Sequence, residues 1–244
     1  MTEKLKRALS ALKRECLRVS PDKPGFNAKL AADTRFGGPA YAEAGEKAPI
    51  CPGCNKPLSF VFQFCLPQPG KKAAGTLHCV FYCFNCMPIG RPAEEKGQWL
   101  VKTWETPAAE KFVDGIGVDK KFKPCSCSLA KVANLPDYES LEANYPEVAA
   151  LCEEIDGEDP VSIYEEIGQE IGCEMEPFTS IGGYPIWIQG EGTQVCPVCG
   201  KPGEFVAQID SESGAGLMWG DAGCLYVFRC PEHKDGFAIE MQCF

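Results

Sequence analysis

Cys51-Pro-Gly-Cys-Asn-Lys-Pro-Leu-Ser-Phe-Val-Phe-Gln63 and Cys196-Pro-Val-Cys-Gly-Lys-Pro-Gly-Glu-Phe-Val-Ala-Gln208 are one pattern written twice, 145 residues apart. Gly37-Gly38 and Gly182-Gly183 keep that offset, as do Cys79 and Cys224. Two residues are then gained, and Cys83-Phe84-Asn85-Cys86 matches Cys230-Pro231-Glu232-His233. A lone Cys-x-x-Cys is a weak signal. A run of matched positions that ends in a second paired-ligand turn is a strong one, and a repeat of this kind constrains the architecture.

The paired turns predict zinc. Structural zinc takes four tetrahedral ligands from Cys and His. The first copy offers Cys51, Cys54, Cys83 and Cys86, and the second offers Cys196, Cys199, Cys230 and His233. The two-residue gap lets the backbone fold back so that both side chains reach one ion. Proline after the first cysteine presets φ for the turn, and Gly200 supplies a positive φ after the second. Twenty-eight residues separate Cys54 from Cys83 and thirty separate Cys199 from Cys230, room for two strands as in a zinc ribbon. A redox pair needs one exposed, electropositive Cys-x-x-Cys and does not explain two pairs per copy. Iron in the four-thiolate first site is the minor alternative. His233 takes its place from its match to Cys86, with Cys224 and Cys243 as substitutes. The expectation is two structural Zn2+ per chain. Cys16, Cys65, Cys79, Cys152, Cys173 and Cys224 read as core, and Cys125-Ser126-Cys127 has no nameable partners for a third metal.

Composition bounds the function. The chain has 244 residues, 16 cysteines, a net charge of −10 and a pI near 4.9. An acidic chain is a poor sequence-blind nucleic-acid binder, because phosphate contacts require excess Lys and Arg. The first twenty residues lack the apolar core of a signal peptide, and no apolar run is long enough to span a bilayer. A cytoplasmic protein with reduced thiols and no membrane association is expected, where grouped cysteines are metal ligands.

Residues 1–34 read as a basic helix and linker, with Leu5, Leu9, Leu12, Cys16 and Val19 at helical spacing to about Val19. Residues 35–131 form the first zinc-binding β module, with strands over Leu58 to Cys65, Leu77 to Cys83 and Trp99 to Trp104. Residues 132–177 form an acidic helical connector with fourteen Asp and Glu between Asp137 and Glu176, and no Lys or Arg occurs from Val132 to Gly200. Its helices are placed at about Tyr138 to Ile155 and, after the Asp159-Pro160 cap, to Ile171. Residues 178–244 form the second zinc-binding β module. The fold class expected is α+β: two pseudo-repeated, zinc-ribbon-like modules joined by an acidic helical segment, with an N-terminal helix.

Catalytic signals are weak. Both sites are closed, only His78 and His233 are available, and no nucleophile elbow, phosphate loop or dinucleotide fingerprint occurs. Gln63 and Gln208 hold equivalent places and read as buried amides satisfying loop backbone.

The stretch Ile181-Gly-Gly-Tyr-Pro-Ile-Trp-Ile-Gln189, followed by Cys-Pro-Val-Cys-Gly and Gly220-Asp-Ala-Gly-Cys-Leu-Tyr-Val-Phe-Arg-Cys230, resembles the YwqG-like family of uncharacterised bacterial proteins. The first copy, through Phe36-Gly-Gly-Pro39, Cys51 to Gln63, Leu66-Pro-Gln-Pro-Gly70 and Phe81-Tyr-Cys83, is similar to the N-terminal region of the programmed cell death protein 2 family. The first resemblance implies a duplicated β-rich fold. The second implies a non-enzymatic chaperone for a basic ribosomal protein, although that family's central zinc-finger insertion has no counterpart here. Together with the acidic connector, these readings predict a zinc-binding protein that engages a basic protein partner. A nucleic-acid-binding zinc ribbon using the basic N-terminal segment, and a zinc-dependent enzyme, are the alternatives.

Overall fold

The computed structural model describes residues 1–25, 33–43, 45–67, 75–91, 94–105, 122–192 and 194–244. Helix α1 (Thr2–Leu12) leads into β1 (Arg14–Pro24), β2 (Arg35–Phe36), β3 (Ser59–Pro67), β4 (Gly75–Tyr82), β5 (Trp99–Glu105) and β6 (Cys125–Asn134). Three helices follow: α2 (Tyr138–Asn144), α3 (Pro146–Ile155) and α4 (Pro160–Glu170). Strands β7 (Ser180–Gly182), β8 (Glu204–Asp210), β9 (Cys224–Arg229) and β10 (Phe237–Gln242) complete the chain.

These ten strands form one antiparallel sheet in the order β10-β9-β8-β7-β1-β6-β2-β3-β4-β5. The sheet curls into a nearly closed barrel. Its inner face joins Phe62, Phe64, Val80 and Val101 from one half to Ile209, Leu225, Val227 and Ile239 from the other in a single apolar cluster. On the outside, Tyr41 and Leu58 cover the first half, while Trp187 and Ile188 cover the second. Both faces of β3, β4, β8 and β9 are therefore buried over most of their length, which is why they read as nearly continuous apolar runs.

The halves are related by pseudo-two-fold symmetry. Phe36 faces Phe62 as Ile181 faces Ala207, and Arg35 faces Gln63 as Ser180 faces Gln208. The β3–β4 pair shifts register between Phe60 and Phe62, and the β8–β9 pair does so between Phe205 and Ala207, so Val61 and Val206 sit at equivalent bulges. Gln63 faces Cys79 while Gln208 faces Tyr226. Cys79 thus corresponds to Tyr226 and not to Cys224, and the two extra residues of the second copy enter between β8 and β9.

The leading strands are exchanged. Strand β1 precedes the first copy in sequence but pairs with β7 of the second, where Arg18 faces Ser180. Strand β6 precedes the second copy but pairs with β2 of the first, where Ser126 faces Arg35. Arg18 and Ser126 lie 108 residues apart. Ser20 and Ser128 keep that spacing and face each other at the centre of the β1–β6 pair, so the pseudo-symmetry axis passes between them.

The expectation of two zinc-ribbon-like modules joined by a helical segment is therefore overturned. The protein is mostly β, and the repeat is expressed as two halves of one sheet. The decisive error lies in the N-terminal segment. Leu12, Cys16 and Val19 mimic helical spacing, but the helix ends at Lys13, whose φ of −53° and ψ of 134° are extended. Arg14–Pro24 is then held as a strand by neighbours on both sides, and tertiary pairing overrides the local pattern. The expected Tyr138 to Ile155 helix is also broken in two. Tyr145 precedes a proline, which disfavours helical backbone, and takes φ −139° and ψ 55°. Asp137 and Asp159 cap α2 and α4 by accepting from the Ser140 and Ser162 N–H groups. The helices pack with Leu5 and Leu9 of α1 as a separate apolar cluster.

The repeated glutamines brace equivalent turns. Gln63 Nε2 donates to the Asp33 carbonyl at 2.8 Å, and Gln208 Nε2 donates to the Phe178 carbonyl, 145 residues on, at 2.7 Å. His78 is among the buried groups that break the symmetry. It lies in the inner face, stacked on Phe64 and edge-on to Phe237. Burial, with Arg229 adding to it, pushes its pKa down to about 4.

Two outcomes follow. A chain break between β5 and β6 leaves each fragment holding the other's leading strand. Neither fragment alone should unfold cooperatively by circular dichroism, whereas the mixed pair should. Second, His78 stays neutral in the folded state while the unfolded chain takes up a proton below pH about 6.5. Stability is complete above that pH and falls as pH drops towards 4, by roughly 3 kcal/mol from this group. Urea titrations across that range should show His78→Leu with a flatter profile than wild type.

Candidate metal centres

The eight residues singled out from the sequence come together in two groups of four. In each group, one atom from every side chain lies within 4.8 Å of the others. Cys51 and Cys54 sit on the turn that enters β3, and Cys83 and Cys86 on the turn between β4 and β5. Cys196 and Cys199 enter β8, and Cys230 and His233 lie between β9 and β10. A sheet that pairs β3 with β4 and β8 with β9 brings each pair of turns to the same end of its hairpin.

The local backbone explains the shape of the turns. Cys51 N donates to Lys56 O and Cys196 N to Lys201 O, each at 2.8 Å. Isolated bridges join Ile50 to Pro57 and Val195 to Pro202. The residue after the second ligand donates back to the first ligand's carbonyl in three of the four turns, from Asn55, Met87 and Gly200. All three have positive φ, at 56°, 48° and 70°. Gly200 meets this demand without strain, whereas Asn55 and Met87 meet it with side chains that rarely adopt it.

The distances fit a shared ion. Cys51 and Cys86 Sγ lie 3.7 Å apart, Cys54 and Cys83 3.5 Å, and Cys199 and Cys230 3.7 Å. His233 Nδ1 lies 3.4 Å from Cys230 Sγ and 3.8 Å from Cys196 Sγ. A tetrahedral zinc places two sulfurs about 3.8 Å apart, and a sulfur and a nitrogen about 3.6 Å apart. A disulfide would require about 2.0 Å. The spacing is that of four ligands around one centre.

The electrostatics favour one ionised thiol in each group, while Cys83, Cys86 and Cys199 are held above the ordinary thiol value. Burial opposes ionisation at Cys51, but N–H groups of Cys54 and Gly53 and the thiols of Cys83 and Cys86 outweigh it and bring its pKa down to about 7. Cys196 behaves alike: burial is outweighed by the N–H groups of Cys199 and Val198 and by neighbouring thiols, and its pKa falls to about 7. Each group can thus begin metal capture with a thiolate at neutral pH.

The remaining cysteines stand apart. Cys79 and Cys224 are fully buried, and burial pushes the Cys79 thiol up to about 12. Cys125 Sγ donates to Asp22 O at 2.8 Å, and neither Cys125 nor Cys127 joins a metal-binding group among the described residues. Gly236 was not anticipated. A Cβ there would lie 2.8 Å from Cys196 Sγ and 2.9 Å from the Cβ atoms of Cys230 and His233, so glycine is what lets the chain close over the second group. Its signal was only a glycine three residues past His233.

A family described as domain of unknown function DUF1963 matches residues 34–233. The chain belongs to this family. The DUF1963 family is that of the YwqG-like proteins, and its match here takes in both candidate metal groups. No curated protein matches the chain. Residues 68–70 of the stretch read as similar to the programmed cell death protein 2 family lie outside the described residues, and no comparison tests that resemblance. No helix among the described residues is long and apolar enough to cross a membrane.

Native mass spectrometry of protein purified without chelator should find two metal ions per chain, and Cys54→Ser and Cys199→Ser should each lose one. Gly236→Ala should weaken the second centre alone, seen as one ion released to a competing chelator at about tenfold lower concentration than in wild type.

Proposed function

We propose that this protein is a non-enzymatic, zinc-binding protein of the cytoplasm that engages a basic protein partner, in the manner of a chaperone for a protein such as a ribosomal subunit component. Zinc is the metal that four-ligand Cys and His groups of this spacing favour. Each group has four protein ligands and leaves no position for water or substrate, which speaks for staples and against a catalytic metal.

The observation that carries the partner reading is the surface of α2–α4. Of the fourteen Asp and Glu between Asp137 and Glu176, twelve are exposed. Among the described residues, Lys6–Glu170 and Arg18–Glu174 are the ion pairs that neutralise any of them. The face is thus a concentrated negative field, which attracts a basic protein and raises its association rate. The nucleic-acid reading finds less support, because five of the nine Lys and Arg of residues 1–36 are engaged within the fold, which leaves Lys4 and Arg7 exposed among those described. Lys6 and Arg18 are paired as above, Lys13 donates to the Ile171 carbonyl, Arg14 lies over Tyr184, and Arg35 is buried.

Metal-loaded protein immobilised at low salt should capture a basic protein that elutes as ionic strength rises. Reversal of the face by Glu153→Lys, Glu154→Lys and Glu166→Lys should abolish capture while leaving the metal content at two. Unchanged capture by the reversed variant would sink the proposal.

A further inference from the structure

Where the two ends of the curled sheet approach each other, a cavity of about 350 Å³ is lined by Thr76, His78, Thr103 and Glu105 from β4 and β5. The second half lines it with Arg229, Glu232 and Lys234, and with Cys230 and His233 of the second candidate metal group. We propose that this cavity binds a small molecule through an oxyanion, a carboxylate or phosphate, held by Arg229 and read by His78 and Thr103.

Unmet hydrogen bonds are the first argument. His78 is 1% exposed, yet neither ring nitrogen has a partner among the described residues. The Thr103 hydroxyl is buried and equally without one. Buried polar groups are almost always paired, so two adjacent exceptions call for an explanation. His78 and Thr103 face each other across β4 and β5.

The pseudo-symmetry supplies an internal control. The pair equivalent to His78 and Thr103 is Leu225 and Met241, facing each other across β9 and β10. The same architecture is therefore satisfied by two apolar side chains. Folding does not require a histidine and a threonine at this register.

Charge is the third argument. Lys234 pairs with Glu105 at 3.0 Å, and Glu232 at the rim pairs with Lys201. Arg229 has no ion pair among the described residues, so its guanidinium is available to an anion. That group matches the planar fork of a carboxylate or phosphate. Burial and the Arg229 charge keep His78 neutral, so its ring offers one donor and one acceptor. Together with the Thr103 hydroxyl, these suit a hydroxyl or amide beside the anion. A volume near the lower end of ordinary ligand pockets limits the guest to a small metabolite.

The chain has two histidines, so imidazole ¹H–¹⁵N spectra of the metal-loaded protein resolve His78 directly. Titration with inorganic phosphate and, separately, with lactate should give a saturable shift of the His78 signals in the millimolar range with at least one of them. The responding probe tells phosphate from carboxylate. Sodium chloride at matched ionic strength should give none. Arg229→Gln should weaken the response about tenfold or more. The double variant His78→Leu, Thr103→Met, which copies the second half and removes the imidazole reporter, should bind neither probe by isothermal titration calorimetry, where wild type does, and should melt above wild type. No saturable shift with either probe, a shift matched by chloride, or full binding in Arg229→Gln would overturn the proposal. So would a double variant that melts below wild type, because the polar pair would then serve the fold.

Discussion

The antiparallel pairing of β1 with β6 is the constraint on which everything else depends. It joins the two halves along one hydrogen-bonded seam, in register from Arg14 opposite Asn134 to Pro21 opposite Cys127 and shifted before Pro24 meets Cys125. Each strand also extends the sheet of the half to which its sequence copy does not belong. Remove either, and one half loses an edge partner while the other loses its link to the first. The inner core, drawn from both halves, exists only because this seam holds them in one curved sheet.

The metal centres act at the opposite ends of the same hairpins. The seam organises the middle of the sheet, and the turns that bear cysteines organise its outer strands, at β3–β4–β5 and β8–β9–β10. A hairpin end is where strands fray, because the last residues have few neighbours. Four ligands on one ion at that place would tie the two turns together without needing a larger core.

Much of the site was legible in the sequence, because ligand spacing is a local property and repeats are visible by comparison of the chain with itself. The eight ligand positions fall together as the spacing implied, and Asp159-Pro160 begins a helix where its capping chemistry placed one. The architecture was not legible for a different reason. Which strand lies beside β7 is a long-range choice, and Arg14–Pro24 carries no local mark of it. Cys16 and Val19 are buried there, but their three-residue spacing suits a helix as well as a strand pinned on both sides. The misalignment of Cys79 with Cys224 has the same origin. Identity of residue type suggested one offset, whereas cross-strand register gives Cys79 the place of Tyr226. His78 carried no signal at all until its partner-free nitrogens could be set beside Leu225.

The strand exchange also shapes the birth of the protein on the ribosome. Strand β2 emerges early, but the edge it needs is supplied by β6, which ends at Asn134. At ordinary translation speeds the first half waits on the order of 5–20 s for that strand. Strand β1 waits longer for its second neighbour, which ends at Gly182. Throughout that interval the nascent chain presents an open sheet edge and unburied aromatic side chains. The chain's own assembly is thus timed by the synthesis of its second half, and its vulnerability to misassociation is greatest before the acidic helices have emerged to repel like copies.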